Sequence, residues 1–264
     1  MMDHRYDKTF SNHCVFVKKF PGGKYIILLL YVDDMLIVGH DKNDIQSLKR
    51  ELSKSFAMKG LVPTKQILGM KIVRDRKNGK LWLSQQKYIE KVLDRFNVKN
   101  SKPLSTPLAG HFRLSSKDYP INEYEKEEMQ KIPYSFPVGS LMYVMVCTRP
   151  NIAHEVGVVS HFLANPRKEH CQAMKWILKY LKGTSRVCLC FRSGKPVLNG
   201  YTDANMAGDV DSRKSTSGYM MTFVGGAVSW QSRLQKCVVL SSTEVGYIVV
   251  IEASTKLLWM QKFL

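Results

Sequence analysis

Acidic residues are scarce in this sequence. Twenty-two Asp and Glu stand against 40 Lys and Arg in 264 residues, a formal charge of +18. Metal-type and disulfide-type cysteine patterns are missing. Cys14, Cys147, Cys171, Cys188, Cys190 and Cys237 form no CxxC pair and no tight cluster with histidine. That excludes a zinc-ribbon spacing and suits reduced, buried thiols in a cytoplasmic or nuclear protein. Long apolar runs are also missing. The longest, Tyr25 to Val32, is far short of the roughly 20 residues that a membrane span requires. The opening MMDHRYDKTF has no apolar core for a signal peptide. No internal repeat and no low-complexity tract is present.

What remains is ordinary globular material. The 44% hydrophobic content can build one large domain or two small ones. The positive charge attracts polyanions, of which nucleic acid is the commonest; the bland alternative is a solvated basic surface with no partner.

Patterning then divides the chain. Residues 14–39 read as strand, turn, strand, turn, strand, with PGGK as the first turn and YIILLLYV as a strand buried on both faces. Ile45, Leu48, Leu52 and Phe56 recur at helical spacing. Asn78-Gly79 between QILGMKIVRD and KLWLS predicts a hairpin, and Tyr88, Ile89, Val92, Leu93 and Phe96 predict a short helix. Residues 97–121, with Pro103 and Pro107, read as an irregular connector. Residues 134–182 read as about three helical segments punctuated by Pro150 and Pro166, with Gly183 as a C-cap. From Val187 strands return, with a turn at Gly225-Gly226, and a final helix begins at Ser241–Glu244, which have the spacing of a capping box.

Two places carry candidate chemistry. Asp33 and Asp34 interrupt an apolar hairpin. Unpaired buried carboxylates are costly, whereas hard divalent cations favour such oxygens, as two-metal phosphoryl transfer requires. The bland alternative is an Asp-rich turn. Asp203 lies in a strand and Glu244 in the first turn of a helix. They are candidates to converge on one metal, or else a strand-end residue and a helix cap.

Context bears on both. YIILLLYVDDMLIVG resembles the third motif of reverse transcriptases. Behind it LSKSFAMKGL, QILGMKI, LSQQKYIEKVLDRF, STPL, VGSLMYVMVCTRPNIA and LKYLKGT are similar, in order, to segments of copia-type LTR-retrotransposon (retrovirus-related) Pol polyproteins. GYTDANMAGDVDSRKSTSGYMMTFVGGAVSWQSRLQKCVVLSSTEVGY is similar to their ribonuclease H segment. The resemblance covers almost the whole chain. It implies an α/β (α+β) fold in three parts. Residues 1–96 would be the C-terminal part of a polymerase palm, with an antiparallel sheet, and the hairpin and helix after it. Residues 97–190 would be a linker and helical thumb or connection region, and residues 191–264 an incomplete ribonuclease H-like domain.

The resemblance also implies magnesium as cofactor and RNA, DNA or an RNA–DNA hybrid as partner, with no membrane. Asp33 and Asp34 would be polymerase metal ligands, and Asp203 and Glu244 ribonuclease H metal ligands. Asn205 and Gly246 stand where the family has Asp and Glu, and neither is expected to be a principal ligand. The family places a further polymerase aspartate upstream and further ribonuclease H acids downstream, and Asp3 and Asp7 have no such context. The expectation is a chain that is inactive alone. Its alternatives are a non-catalytic basic nucleic-acid-binding remnant and a decayed open reading frame without a role.

Overall fold

The computed structural model describes residues 6–9, 14–32, 34–57, 65–118 and 123–263. They form two compact units, residues 1–64 with 259–264 and residues 65–258.

The first unit is an antiparallel meander of β1 (Asp7–Lys8), β2 (Val15–Lys19), β3 (Tyr25–Tyr31) and β4 (Asp34–Gly39), followed by α1 (Lys42–Ser55). Gly22 and Gly23 take φ of +80° and +75° in the β2–β3 turn, a conformation that glycine adopts without Cβ strain. At α1 the Asp41 carboxylate accepts the Asn43 N–H at 2.8 Å. That bond, with the Lys24 ammonium beside it, holds the carboxyl below its ordinary range. Leu48 and Leu52 of α1 are buried with Ile26 and Tyr6. β3 is therefore less enclosed than its unbroken apolar run predicts. Ile26 and Leu28 are buried, while Ile27, Leu29 and Leu30 are only half-buried, because α1 builds a core on one face of the sheet.

The second unit holds two sheets and most of the helices. β5 (Gln66–Ile67), β6 (Met70–Asp75), β7 (Lys80–Ser84) and β8 (Leu189–Arg192) form an antiparallel sheet in that order. The β6–β7 turn is closed by Asp75, whose carboxylate accepts the Asn78 side-chain and backbone N–H at 2.7 and 3.0 Å. Those two bonds hold its carboxyl below the usual range.

The helices are α2 (Gln86–Arg95), α3 (Glu123–Gln130), α4 (Ser135–Thr148), α5 (Ala153–Ser160) and α6 (Lys168–Gly183). They share one apolar core that includes Ile89, Leu93, Leu141, Val144, Val156, Ile177, Leu178 and Leu181. Pro150 opens a 3-10 turn between α4 and α5, as its missing N–H and fixed φ favour. The described connector residues 97–118 hold only a 3-10 turn, Ser116–Asp118. The connector is tied to α6, where the Trp176 indole donates to the Thr106 carbonyl at 3.0 Å.

The last sheet has the order β11–β10–β9, from β9 (Leu198–Asn205), β10 (Thr216–Phe223) and β11 (Gly226–Leu234). The turn falls at Val224-Gly225, both at positive φ, one residue ahead of the Gly-Gly step. α7 (Ser242–Phe263) follows. It lays Val245, Val249 and Ala253 inward, and Leu257 comes within 3.4 Å of where a Cβ on Gly200 would sit. No helix among the described residues is long and apolar enough to cross a membrane.

Candidate nucleic-acid and metal sites

Tyr31, Val32 and Asp34 of the YVDD segment sit at the tip of the β3–β4 hairpin. Tyr31 and Asp34 are the last facing pair of a ladder that runs back to Ile26 and Gly39. Val32 is 89% exposed and takes φ of +50°, an outlying conformation for a β-branched residue. The ladder holds the tip in that shape. Asp34 is exposed at the head of β4; Asp33 lies outside the described residues.

Asp203 stands on β9, exposed, opposite Gly218 on β10. One carboxylate oxygen accepts the Ala204 N–H at 2.9 Å. Beside the free edge of β9 runs a groove of about 400 Å³, lined by Thr202, Asp203, Ala204, Thr243, Gly246, Tyr247, Val249 and Val250. The structure thus brings Asp203 to the first turns of the helix that carries Glu244. The Glu244 carboxylate itself turns back and accepts the Leu240 N–H at 3.1 Å, while the Glu244 N–H donates to the Ser241 hydroxyl at 3.2 Å. This is a variant of the capping box, reaching one residue before the cap.

Asn205 is engaged elsewhere. Its amide lies so close to Gly208 that a Cβ there would fall 2.6 Å from Nδ2. Nothing stands within 4 Å of a Cβ at Gly246, so a side chain there would fit in the groove. Among the described residues no three His, Cys, Asp or Glu side chains gather as a metal cluster.

A third surface is made by the first sheet of the second unit. Facing residues of adjacent strands share a face, so the register puts Lys71, Val73, Asp75, Lys80, Trp82, Ser84, Cys190 and Arg192 on one side. Trp82 is half-buried there, while Lys71 and Arg192 are exposed. Lys80 faces the Asp75 carboxylate across the hairpin and adds to the Asn78 bonds that hold it ionised. Residues 65–102 carry eleven Lys and Arg against three Asp and Glu. Hairpin register puts Lys71, Lys80 and Trp82 on one face, but nothing in the local pattern marks Arg192, which arrives from a strand about a hundred residues later.

Residues 1–110 match the family model described as reverse transcriptase (RNA-dependent DNA polymerase). The chain is 62% identical over its whole length to the retrovirus-related Pol polyprotein from transposon TNT 1-94 of Nicotiana tabacum. It is 36% identical over 90% of its length to the corresponding polyprotein from transposon RE1 of Arabidopsis thaliana. A putative transposon Ty5-1 protein of Saccharomyces cerevisiae is 34% identical over 92% of the chain and 77% of its own length. The chain belongs to the copia-type retrotransposon Pol polyprotein family. It includes reverse transcriptase sequence of such a polyprotein and spans 20% of the tobacco relative and 16% of the Arabidopsis one. No solved structure gives a significant match.

Proposed function

We propose that this copia-type chain contributes part of two metal-dependent phosphoryl-transfer sites, and that by itself it binds nucleic acid without catalysis. The observation that carries the binding reading is the sheet face with Lys71, Lys80 and Arg192 around Trp82. Three cations beside an aromatic ring suit a phosphate backbone and the bases it carries.

Asp33 and Asp34 are the polymerase carboxylates, and Asp203 and Glu244 the ribonuclease H carboxylates. Magnesium is the ion implied, since carboxylate oxygens are the hard donors it takes. The donors fit in kind. They fall short in number, because a two-metal clamp needs more carboxylates than each pair supplies. The proposed division of the chain at residues 96 and 190 follows the same family reading.

The test has two assays on the chain as it stands: extension of a primed RNA template, and cleavage of an RNA–DNA hybrid, each with magnesium. Neither product is expected. A second protein, extended by the next strand of a relative with its aspartate, is expected to gain hybrid cleavage and to lose it again in Asp203→Asn. Primer extension by the native chain that vanishes in Asp33→Asn would overturn the inactive reading. Cleavage surviving Asp203→Asn would overturn the site assignment.

A further inference from the structure

Two segments far apart in the sequence contain no acid at all. Residues 97–117 carry four Lys and Arg, and residues 170–186 carry four more, with no Asp or Glu in either. The fold brings these segments together. The connector lies along α6, where the Leu104 N–H donates to the Lys179 carbonyl at 3.4 Å and the Trp176 indole to the Thr106 carbonyl at 3.0 Å. The Lys182 ammonium donates to the Ser101 carbonyl. A Cβ on Gly183 would meet Pro103 at 3.2 Å and the Leu104 carbonyl oxygen at 3.3 Å. Lys102 therefore stands between the two connector residues that reach Lys182 and Gly183.

α6 itself sorts its side chains by face. Met174, Ile177, Leu178 and Leu181 are buried. Lys175, Lys179 and Lys182 follow at i, i+4 and i+7, which keeps them within a sector of about 60° and spreads them over about 10 Å of the helix axis. Lys102 and Lys175 are exposed, and Lys179 and Lys182 are half-buried. The solvated helices of this protein look different: α1 sets Asp44 and Glu51 among its lysines, and α2 sets Glu90 and Asp94 among its own. The one acid of α6, Glu169, lies in its first turn and pairs with Arg167 at 3.6 Å. Lys99 is offset by Asp94 at 3.0 Å, and Lys117 lies near Asp211. Among the described residues no carboxylate pairs with Lys102, Lys175, Lys179 or Lys182.

We propose that these four lysines form a second nucleic-acid contact, which holds the phosphate backbone of a duplex. The inference rests on the nucleic-acid reading above and uses other elements than the sheet face around Trp82. The nearby rings are spent on one another. Trp176 meets His111 and Phe112 edge to face, at 5.7 and 5.6 Å between ring centres, so it pins the connector rather than offering a flat ring to a base. A contact made by ammonium groups alone positions the ligand without reading its sequence. Its strength then follows charge density, and a duplex presents about twice the charge per unit length of one of its strands. A duplex is also the form of the RNA–DNA hybrid that the Asp203 assignment requires.

The experiment uses the whole chain and measures binding of a labelled RNA–DNA hybrid, and of the RNA strand alone, across a salt series. Replacing Lys102, Lys175 and Lys179 with Gln is expected to flatten the slope of log K against log salt for the hybrid by about 2 to 3, at about 0.9 for each phosphate released. The single strand should bind more weakly than the hybrid and lose less. Replacing the same three with Arg keeps the charge and should keep the native slope. Replacing Lys42, Lys49 and Lys54, three exposed lysines of α1, with Gln is the control and should flatten the slope less. Bound hybrid should also protect Lys175 and Lys179 from acetylation, read by mass spectrometry, and leave the α1 lysines reactive.

An unchanged slope in the α6 variant, a slope that falls as far in the α1 variant, or unprotected Lys175 and Lys179 would each overturn the contact. Equal losses for hybrid and single strand would overturn its assignment to a duplex. In all these cases the native chain still binds, so the broader nucleic-acid reading stands. A native chain that binds neither ligand at low salt overturns both.

Discussion

At the scale of single residues, the helical core is held by a few polar groups that the burial pattern makes consequential. Tyr134 is buried, and its hydroxyl donates to the Val159 carbonyl at 2.8 Å. Burial, with Cys171 nearby, pushes the phenol above its ordinary value of 10.0. The unfolded chain therefore ionises first. The stability this tyrosine contributes is fully present below the unfolded value and is lost as pH rises through that value toward the folded one. Tyr134→Phe is expected to cost about 1 kcal/mol near neutrality, by removing the shorter hydrogen bond to the Val159 carbonyl and leaving the Phe162 N–H at 3.4 Å. The gap between native and variant should narrow above pH 10.0, since only the native chain has the phenol to ionise. Urea unfolding at neutral and alkaline pH checks this, and a gap that widens in alkali would contradict it. Arg149 is wholly buried, donates to the Thr184 carbonyl, and has Nε and Nη1 without a partner among the described residues. Burial lowers its guanidinium pKa.

Among the elements, the β6–β7 hairpin is the one whose turn does most outside itself. Gly79 has φ of +57°, and a Cβ on it would fall 1.5 Å from the Ser193 hydroxyl oxygen. The Ser193 N–H and hydroxyl both donate to the Gly79 carbonyl, at 2.8 and 2.9 Å. Gly79→Ala is thus expected to strain the turn by roughly 1–2 kcal/mol and to push Ser193, and with it β8, away from β7. Amide exchange at Leu189–Arg192 should accelerate. Gly22→Ala, at φ of +80° with nothing within 4 Å, should strain its own turn and leave β8 unaffected. Equal protection of β8 in all three proteins would show that the turn does not anchor it. The Asn-Gly hairpin is readable because turn chemistry is local. The Gly225-Gly226 turn is readable only to within a residue. Val224 occupies the first left-handed position, and a valine there is an unfavourable choice that the β10–β11 ladder imposes.

For the whole molecule, the question is where a charge of +18 becomes a surface. Lys71, Lys80 and Arg192 share a face by register. Replacing all three with Gln is expected to weaken binding to duplex DNA and to flatten the slope of log K against log salt by about 2 to 3, at about 0.9 for each phosphate that is no longer neutralised. The same three changes on surface lysines of other elements, such as Lys49, Lys54 and Lys126, should flatten it less. A slope that falls equally in both variants would mean that charge binds diffusely and that the sheet face has no special part. Binding titrations from low to moderate salt decide between these outcomes.

The sequence by itself determined most of the elements, because helical period, strand alternation and turn residues act over a few positions. It also carried the family, through runs such as YIILLLYVDDMLIVG and VGSLMYVMVCTRPNIA. Tertiary structure alone decided that Leu189–Arg192 joins β7. It also decided that Asp203 lines a groove with the first turns of α7, and that the Glu244 carboxylate caps its own helix. These depend on which strand edges and faces remain free once the core closes. Such pairings are set by burial and register across a hundred residues, and no local pattern encodes them.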